Sequence, residues 1–244
     1  MKFESRTYRN YILKSLSDVE MNCIAGALEP AILDSGFRIE NANRPIEHVY
    51  FLESGLAATE GTVARGRPIQ LGIVGREGMT GVSVVLGGHQ LPYNCHMRMS
   101  GTGFQISSVD LMEAMAACPS FGAKLLNFAQ TFLTQVAATV QANGRATLEK
   151  RLARGLLMLH DRADEDVLPV THEFLASLVG AQRPAITIAL HKLEGDRMIE
   201  SKRGLVRVSD RHQLSALTKG FYGTAEKEYA RLIGVPLSRH PISP

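Results

Sequence analysis

The chain contains few cysteines, and their number and spacing exclude two classes of protein. Cys23, Cys95 and Cys118 are far apart in the sequence, and no Cys-x-x-Cys pair is present. An odd number of cysteines argues against a disulfide framework, and the missing pair argues against an iron–sulfur site. We interpret the three as isolated buried thiols. Redox sensing by Cys95 or Cys118 is the alternative.

Long hydrophobic runs are also missing. No apolar run reaches membrane-spanning length, and the amino terminus lacks the pattern of a signal peptide. We therefore expect a cytoplasmic protein with no membrane contact. The 244 residues are enough for two modest domains with separate cores.

Recognisable catalytic motifs are absent as well. No P-loop, dinucleotide fingerprint or nucleophile elbow occurs. His160 and His172 flank an acidic loop, and His89 and His96 straddle a turn, but neither pair has tight metal-ligand spacing. We predict a protein that is not an enzyme, with no catalytic residues, no cofactor and no metal site. An enzyme with its active site in the β-rich half is a weaker alternative.

The segment from Thr171 to Glu194 is the most informative part of the chain. Thr171 is a good N-cap residue, because its hydroxyl can accept from amide groups of the first helical turn. Gly180 follows a run with helical spacing, where a left-handed residue would end the helix. Pro184 fits the first turn of a second helix. Two short helices joined at Gly180-Ala181 are the layout of a helix-turn-helix.

The second helix, from about Gln182 to Leu193, has a clear inner and outer side. The inner positions are Ile186, Ala189, Leu190 and Leu193. In helix-turn-helix docking, residues near the amino end of this helix reach base edges in the major groove. We predict that Arg183, Thr187 and Ile188 read bases, with Arg183 pairing with guanine and Ile188 touching a thymine methyl. The predicted contacts to the DNA backbone are Thr171, His172, Gln182, His191 and Lys192.

Two short β-like runs follow and predict a wing. Met198–Ser201 and Leu205–Val208 flank the basic turn Lys202-Arg203-Gly204. Lys202 and Arg203 would contact the sugar-phosphate backbone, which gives affinity without sequence information. From residue 147 onward the chain carries 15 Lys/Arg against 12 Asp/Glu, whereas the first 146 residues carry 12 of each. This surplus is small, but it has the sign that DNA binding requires. An ordinary helical hairpin with solvated charges is the alternative, although it leaves an exposed Ile188 unexplained.

These residues resemble the Crp/Fnr family of bacterial regulators. The resemblance rests on Arg151-Leu-Ala-Arg154, Thr171-His-Glu-Phe-Leu-Ala176, Val179-Gly180, Arg183 and the run from Leu193 to Ile199. In the amino-terminal half, His48–Gly55 and Leu71–Gly81 resemble strand-turn pieces of that family's β-roll sensor. The resemblance implies an α+β protein with an amino-terminal antiparallel, jelly-roll-like β-roll, a long dimerisation helix and a carboxy-terminal winged helix-turn-helix.

The chain departs from the family pattern at two places. Typical members read DNA with Arg-Glu-x-x-x-Arg, whereas the matching positions here are Arg183, Pro184 and Ile188. Members that bind a cyclic nucleotide use a Gly-Glu pair and a later Arg-Ser or Arg-Thr. Here Gly81 precedes Val82, and no such arginine pair follows near Asn94. We therefore expect neither the usual target sequence nor a cyclic nucleotide bound in the family manner.

The segments before residue 147 fit a sensor and a dimer helix. Short β-rich runs between about Ala31 and Ser108 predict a small roll, whose interior holds either an unidentified effector or packed side chains. A helix from about Pro119 to Gln141 has two apolar faces, and Asn143-Gly144 suits its end or a hinge. The first face is assigned to the dimer contact and comprises Phe121, Leu125, Phe128, Phe132, Val136 and Thr139. The second face comprises Leu126, Leu133 and Val140. The alternative interpretation is a helix that is fully buried within one subunit.

The sequence thus predicts three regions and one function. Residues 1–118 are the β-roll sensor, 119–146 the dimerisation helix and hinge, and 147–244 the winged helix-turn-helix with a helical extension. The predicted function is a homodimeric, sequence-specific DNA-binding transcription regulator. Its predicted partners are a near-palindromic double-stranded operator, a second copy of the chain, RNA polymerase and a small effector, unless the roll is inert. A ligand-binding protein whose helix-turn-helix contacts another protein is the alternative.

Overall fold

The computed structural model describes residues 8–62, 66 and 68–238, and these form two compact units. The first unit comprises the residues up to Thr59 together with Ile73–Gln130. The second comprises Glu60–Gly72 and the residues from Thr131 onward. The chain combines helices with antiparallel sheets, as the sequence predicts.

Two short helices open the first unit. Helix α1 spans Tyr11–Lys14 and α2 spans Asp18–Ile24. The Asn10 side chain caps α1 and also donates to the carbonyl oxygens of Leu52 and Gly78, at 2.8 and 2.7 Å. This fully buried amide therefore fastens the amino-terminal helices to the roll while satisfying its own hydrogen bonds.

Seven strands form the roll in two sheets. They are β1 (Glu29–Leu33), β2 (Arg38–Glu40), β3 (His48–Leu52), β4 (Leu56–Gly61), β5 (Ile69–Val74), β6 (Asn94–Met99) and β7 (Gly101–Ser107). One sheet has the order β1-β7-β3 and is antiparallel throughout, and the other has the order β2-β6-β4-β5. Val49, Phe51 and Leu52 are fully buried, as expected for a strand in a packed roll.

Three helices follow strands of the roll. Helix α3 spans Val82–Val85, α4 spans Ser108–Ala117 and α5 spans Pro119–Arg145. Asn143-Gly144, predicted to suit a helix end or a hinge, lies in the last turn of α5, which ends one residue later at Arg145. A glycine inside a helix costs only about 1 kcal/mol relative to alanine, which the rest of a 27-residue helix tolerates.

Helix α5 has one face buried in its own protomer and another exposed. Phe121, Leu125 and Phe128 are buried, whereas Leu126, Leu133 and Val140 are 47%, 51% and 66% exposed. Of the remaining residues assigned to the dimer contact, Thr139 is buried, and Phe132 and Val136 are half-buried. The structure therefore does not support the first face as the dimer contact. The free apolar side chains lie on the second face.

The second unit contains a helical bundle and a small sheet. Its helices are α6 (Leu148–Arg162), α7 (His172–Val179), α8 (Arg183–Gly195), α9 (Arg211–Thr218) and α10 (Thr224–Ile233). Its strands are β8 (Val167–Leu168), β9 (Ile199–Lys202) and β10 (Leu205–Val208), in the order β8-β10-β9. The short strand β8 thus joins the hairpin of β9 and β10 as a third strand. Leu152, Leu156, Leu175 and Leu190 are among the side chains of this core that are no more than 1% exposed.

Candidate nucleic-acid interface

Helix α7 begins and ends at the residues the sequence indicates. The hydroxyl of Thr171 accepts a hydrogen bond from the amide of Phe174 at 3.1 Å. Gly180 has a φ of 64°, and the amide of Ala181 donates to the carbonyl oxygen of Ala176 at 2.9 Å. That six-to-one bond and the left-handed glycine form a Schellman cap, which stops the helix and turns the chain towards α8.

An arginine of α6 completes this turn. The guanidinium of Arg151 donates to the carbonyl oxygen of Val179 at 3.0 Å, which satisfies one of the last free carbonyl groups of α7. Gly155, one turn further along α6, lies where a Cβ atom would come within 2.9 Å of the Leu178 side chain. Helices α6 and α7 therefore pack closely, and α6 holds the turn of the helix-turn-helix in place.

Helix α8 presents one face to the core and the other to solvent. Ile186, Ala189, Leu190 and Leu193 are buried, as predicted. Arg183 is the first residue of the helix and is exposed, and Ile188 is 71% exposed. Gln182 precedes the helix without a side-chain capping bond. Contact of Arg183 and Ile188 with base edges, as the sequence predicts, requires both side chains to be accessible, and both are.

The third predicted base-reading residue, Thr187, has structural contacts of its own. Its hydroxyl lies 3.0 Å from Nδ1 of His172 and donates to the carbonyl oxygen of Arg183 at 3.3 Å. His172 is the first residue of α7, so this pair joins the two helices of the motif at their amino ends. The assignment of Thr187 to bases and of His172 to phosphate remains a prediction.

The wing is attached directly to α8. Oε1 of Glu194, near the end of α8, accepts from the amide of Ser201 in β9 at 2.8 Å. Strands β9 and β10 pair from Leu205 with Lys202 to Val208 with Ile199, and Gly204 has a φ of 76° in the turn between them. Lys202 and Arg203 are both exposed at this turn, as predicted for backbone contacts.

The two remaining cationic positions of α8 have acidic neighbours. Nζ of Lys192 lies 3.3 Å from Oε1 of Glu149 in α6, and Nδ1 of His191 lies 3.7 Å from Oε2 of Glu194. The backbone amide of Glu149 and the Thr147 hydroxyl, followed by Lys192, lower the pKa of Glu149. Because the side chains of Lys192 and His191 both remain more than 60% exposed, these contacts are weak.

A buried polar cluster fastens the helical extension to α6. The carboxylate of Asp161 is 2.6 Å from Arg211 and accepts from the Tyr222 hydroxyl at 2.9 Å. Arg211 also contacts Nδ1 of His160 at 3.0 Å and the Ser238 hydroxyl at 3.3 Å. Burial, and then the charge of Asp161, raise the pKa of Tyr222, so its phenol stays a donor to the carboxylate.

Sequence reasoning assigned the exposed residues of the interface but missed those that hold it in place. Arg151 was noted for the resemblance only, and its bond to the end of α7 was not inferred. The bonds of Glu194 to β9 and of Lys192 to Glu149 were also missed. Only the short spacing from Glu194 to Ser201 offers a sequence signal, since Glu149 and Lys192 are brought together by the tertiary fold.

Within residues 8–62, 66 and 68–238, no group of three or more His, Cys, Asp or Glu side chains is arranged to hold a metal ion. No helix in the same ranges combines the length and hydropathy needed to cross a bilayer. Cys95 and Cys118 are buried, as interpreted from the sequence, whereas the interpretation of Cys23 as a buried thiol is wrong, since its side chain is exposed.

Residues 150–217 match the family model of the Crp-like helix-turn-helix domain, which covers α6 to α9. The fold is similar to that of FixK2 from Bradyrhizobium japonicum, with a TM-score of 0.70, 16% identity, and 78% of this chain and 96% of that chain covered. A transcriptional regulator of the CRP family from Thermus thermophilus, TTHB099, has a TM-score of 0.63 and 20% identity over 86% of this chain and 100% of its own. The c-di-GMP-responsive global regulator CLP from Xanthomonas campestris has a TM-score of 0.63 and 17% identity over 79% and 99%. None of the curated proteins is significantly similar to this chain in sequence.

The chain therefore has the fold of the Crp/Fnr regulators, with a roll, a long helix and a helix-turn-helix. Its residues 150–217 belong to the Crp-like helix-turn-helix domains, and this domain supports a DNA-binding regulator. The predicted fold class and the predicted family resemblance are confirmed.

Proposed function

We propose that the protein is a homodimeric, sequence-specific transcription regulator that reads DNA with α8. The observation that carries the proposal is the outer face of α8, where Arg183 and Ile188 are exposed and no described residue covers them. Arg183 would pair with a guanine and Ile188 would contact a thymine methyl. His191, Lys192 and the wing residues Lys202 and Arg203 would neutralise phosphates.

The proposed dimer contact is an apolar seam on α5, defined as Leu126, Leu133 and Val140. Gln130 and Ala137 lie between these three and are exposed too, so the spacing alternates between three and four residues. This is the a/d repeat of a two-stranded coiled coil. Two copies paired along the seam would present two α8 helices to successive half-sites of a near-palindromic operator.

The other regions take their proposed roles from this arrangement. Residues 1–118 would form the sensor, 119–146 the dimer helix and hinge, and 147–244 the DNA-binding region. The proposed further partners are RNA polymerase and a small effector of unidentified class. The proposed role is regulatory rather than enzymatic. The proposed location of the protein is the cytoplasm, because bacterial chromosomal DNA lies there.

The decisive experiment is selection of genomic fragments by the purified protein, followed by footprinting on the selected sites. We expect a shared motif with two-fold symmetry, half-sites about one helical turn apart, and affinity that falls steeply with salt. Fragments without a shared motif, or binding indifferent to salt, would contradict the proposal and favour a helix-turn-helix that contacts protein.

A further inference from the structure

A cavity of about 440 Å³ lies between α9, α10 and the loop that connects them. Its volume is within the range of small-molecule sites, roughly 300–1,000 Å³. The match to the Crp-like helix-turn-helix domain ends at residue 217, so the connecting loop and α10 lie outside it. None of the residues proposed to contact DNA lines this cavity.

The cavity is positively charged. Lys219 and Lys227 line it, and no acidic residue does so within the part of the chain that the structure describes. Both lysines are exposed, and neither ammonium group pairs with a carboxylate of the described residues. Lys124, by contrast, lies 2.7 Å from a carboxylate oxygen of Glu20. Two unpaired cations beside one concave space attract an anion into it.

Hydrogen-bond donors accompany the two lysines. The hydroxyls of Ser215 and Thr224 and the ring of His212 also line the cavity. None of these three side chains is bonded to another residue within the described ranges. The hydroxyl of Thr218, on the same helix, instead donates to the carbonyl oxygen of Ser215 at 2.7 Å. The cavity therefore offers free donors to a ligand that has several acceptor oxygens.

Lys219 stands in a backbone conformation that favours glycine. It caps α9 with a φ of 48° and a ψ of 45°, and Gly220 follows with a φ of 90°. A residue with a Cβ is strained in this left-handed region, whereas glycine is not. Glycine at position 219 would thus remove the ammonium group without harming the fold, which separates a binding role of this lysine from a structural one.

We propose that this cavity binds the phosphate group of a small phosphorylated molecule. A phosphomonoester carries a charge of about −1.5 to −2 at neutral pH, which matches two ammonium groups better than the single charge of a carboxylate does. The hydroxyls of Ser215 and Thr224 would donate to its oxygens. A bare phosphate ion would leave most of the 440 Å³ unfilled, so the ligand has an organic part as well.

The backbone of DNA is a second source of phosphate groups. Each of its phosphates carries one negative charge and lies on a convex surface, so a free phosphomonoester fits the cavity and its two lysines better. The proposed site shares no residue with the α8 surface and does not depend on the DNA-binding role. Its failure and the failure of that role are therefore separate outcomes.

The test is isothermal titration calorimetry of the full-length protein in a phosphate-free buffer. The probes are ribose 5-phosphate, inorganic phosphate and a random-sequence duplex, with ribose as the matched control that lacks the phosphate group. We expect one ribose 5-phosphate to bind per chain, with an affinity that falls as salt is added, and ribose to give no binding heat. Inorganic phosphate should compete with ribose 5-phosphate for the same site.

Three variants locate the site. Lys219→Gly and Lys227→Gln should each weaken ribose 5-phosphate binding roughly tenfold, because each removes a charged donor. Lys14→Gln is the matched control, since it removes one exposed charge at the end of α1, and it should bind like the native protein. Without ligand, Lys219→Gly should unfold at the same temperature as the native protein or higher, so misfolding does not explain its loss of binding.

The proposal is overturned if neither ribose 5-phosphate nor inorganic phosphate binds the native protein at millimolar concentration. It is also overturned if Lys14→Gln weakens binding as much as the two cavity variants, which would indicate a general effect of charge. If Lys219→Gly and Lys227→Gln weaken binding of the duplex but leave ribose 5-phosphate unaffected, the lysines serve DNA instead and the proposal fails.

Discussion

Nδ1 of His172 and the hydroxyl of Thr187 lie 3.0 Å apart and join the first turn of α7 to the second turn of α8. The two residues were both predicted to contact DNA, yet each also restrains the other. The position of α8 relative to α7 sets how Arg183 and Ile188 would enter a groove. The pair therefore contributes to orienting the helix that reads DNA as well as to the surface that meets it.

We predict that Thr187→Val lowers the free energy of unfolding by about 1 kcal/mol, since it removes a part-buried hydrogen bond but keeps the methyl group and the volume. Urea denaturation of Thr187→Val, His172→Ala and the double variant gives the coupling energy. We expect a coupling of about 0.5–1.5 kcal/mol. Strictly additive losses would show that the contact does not join the helices.

Gly180 gives a second test, at the turn of the motif. Its φ of 64° is strained for any residue with a Cβ, although no atom lies closer than 4.0 Å to where that Cβ would be. We predict that Gly180→Ala destabilises the protein by about 1 kcal/mol through backbone strain alone. Gly195→Ala is the matched control, because Gly195 is helical and also faces open space. Thermal unfolding should show a lower Tm for the first variant and an unchanged or higher one for the second.

The contrast between these residues and α5 shows what sequence patterns can predict. Gly180, Pro184 and Thr171 act on the backbone within one or two turns, so their effect is visible in the local sequence. The two faces of α5 were visible as periodicity too. Periodicity does not show which of the two faces packs within its own protomer. In the structure, Phe121 on the first face is buried and Leu126 on the second is exposed.

Contacts between distant segments could not be predicted from the sequence, for a different reason. Lys192 and Glu149 are brought together only by the packing of α8 against α6. Their positions in the chain carry no periodic or local signal. The Ser17–Glu20 capping box, by contrast, has the local Ser-x-x-Glu spacing from which a helix start can be predicted.

Arg183 and Arg203 should differ in how they affect DNA binding. Arg183→Ala should cost roughly 1–3 kcal/mol in binding the selected site and relax specificity at one base position. Arg203→Ala, the matched control on the wing, should weaken all sequences alike and reduce the slope of log K against log salt by about one. Titrations against a panel of single-base variants separate the two. An equal loss from Arg183→Ala on every variant would argue against its base-reading role.

The exposed seam on α5 should determine the oligomeric state. Leu133→Glu places a charge in the middle of the seam, and we predict that it shifts the dimer towards monomer by at least tenfold in Kd, because two buried like charges would face each other. Asn143→Glu is the control, since it adds the same charge at an exposed position of α5 outside the three-and-four repeat. Sedimentation velocity measures both. A Leu133→Glu protein that dimerises like the native one would place the interface elsewhere.

Glu20 should make part of the stability depend on pH. The hydrogen bond from Lys124, followed by the Ser17 amide, lowers the pKa of Glu20 from 4.5 to about 2. A carboxyl group whose pKa is lower in the folded than in the unfolded protein stabilises the fold at pH values above the unfolded-state pKa. This stabilisation disappears as the pH falls from about 4.5 to about 2. We predict that Glu20→Gln is less stable than the native protein at neutral pH. Its unfolding free energy should also fall less steeply through this acid range.

Denaturant unfolding at a series of pH values tests this expectation. Glu113→Gln, which alters an exposed carboxylate on α4, is the matched control and should keep the native slope. If Glu20→Gln also keeps the native slope, Lys124 does not hold the Glu20 carboxylate of the native protein in its ionised form.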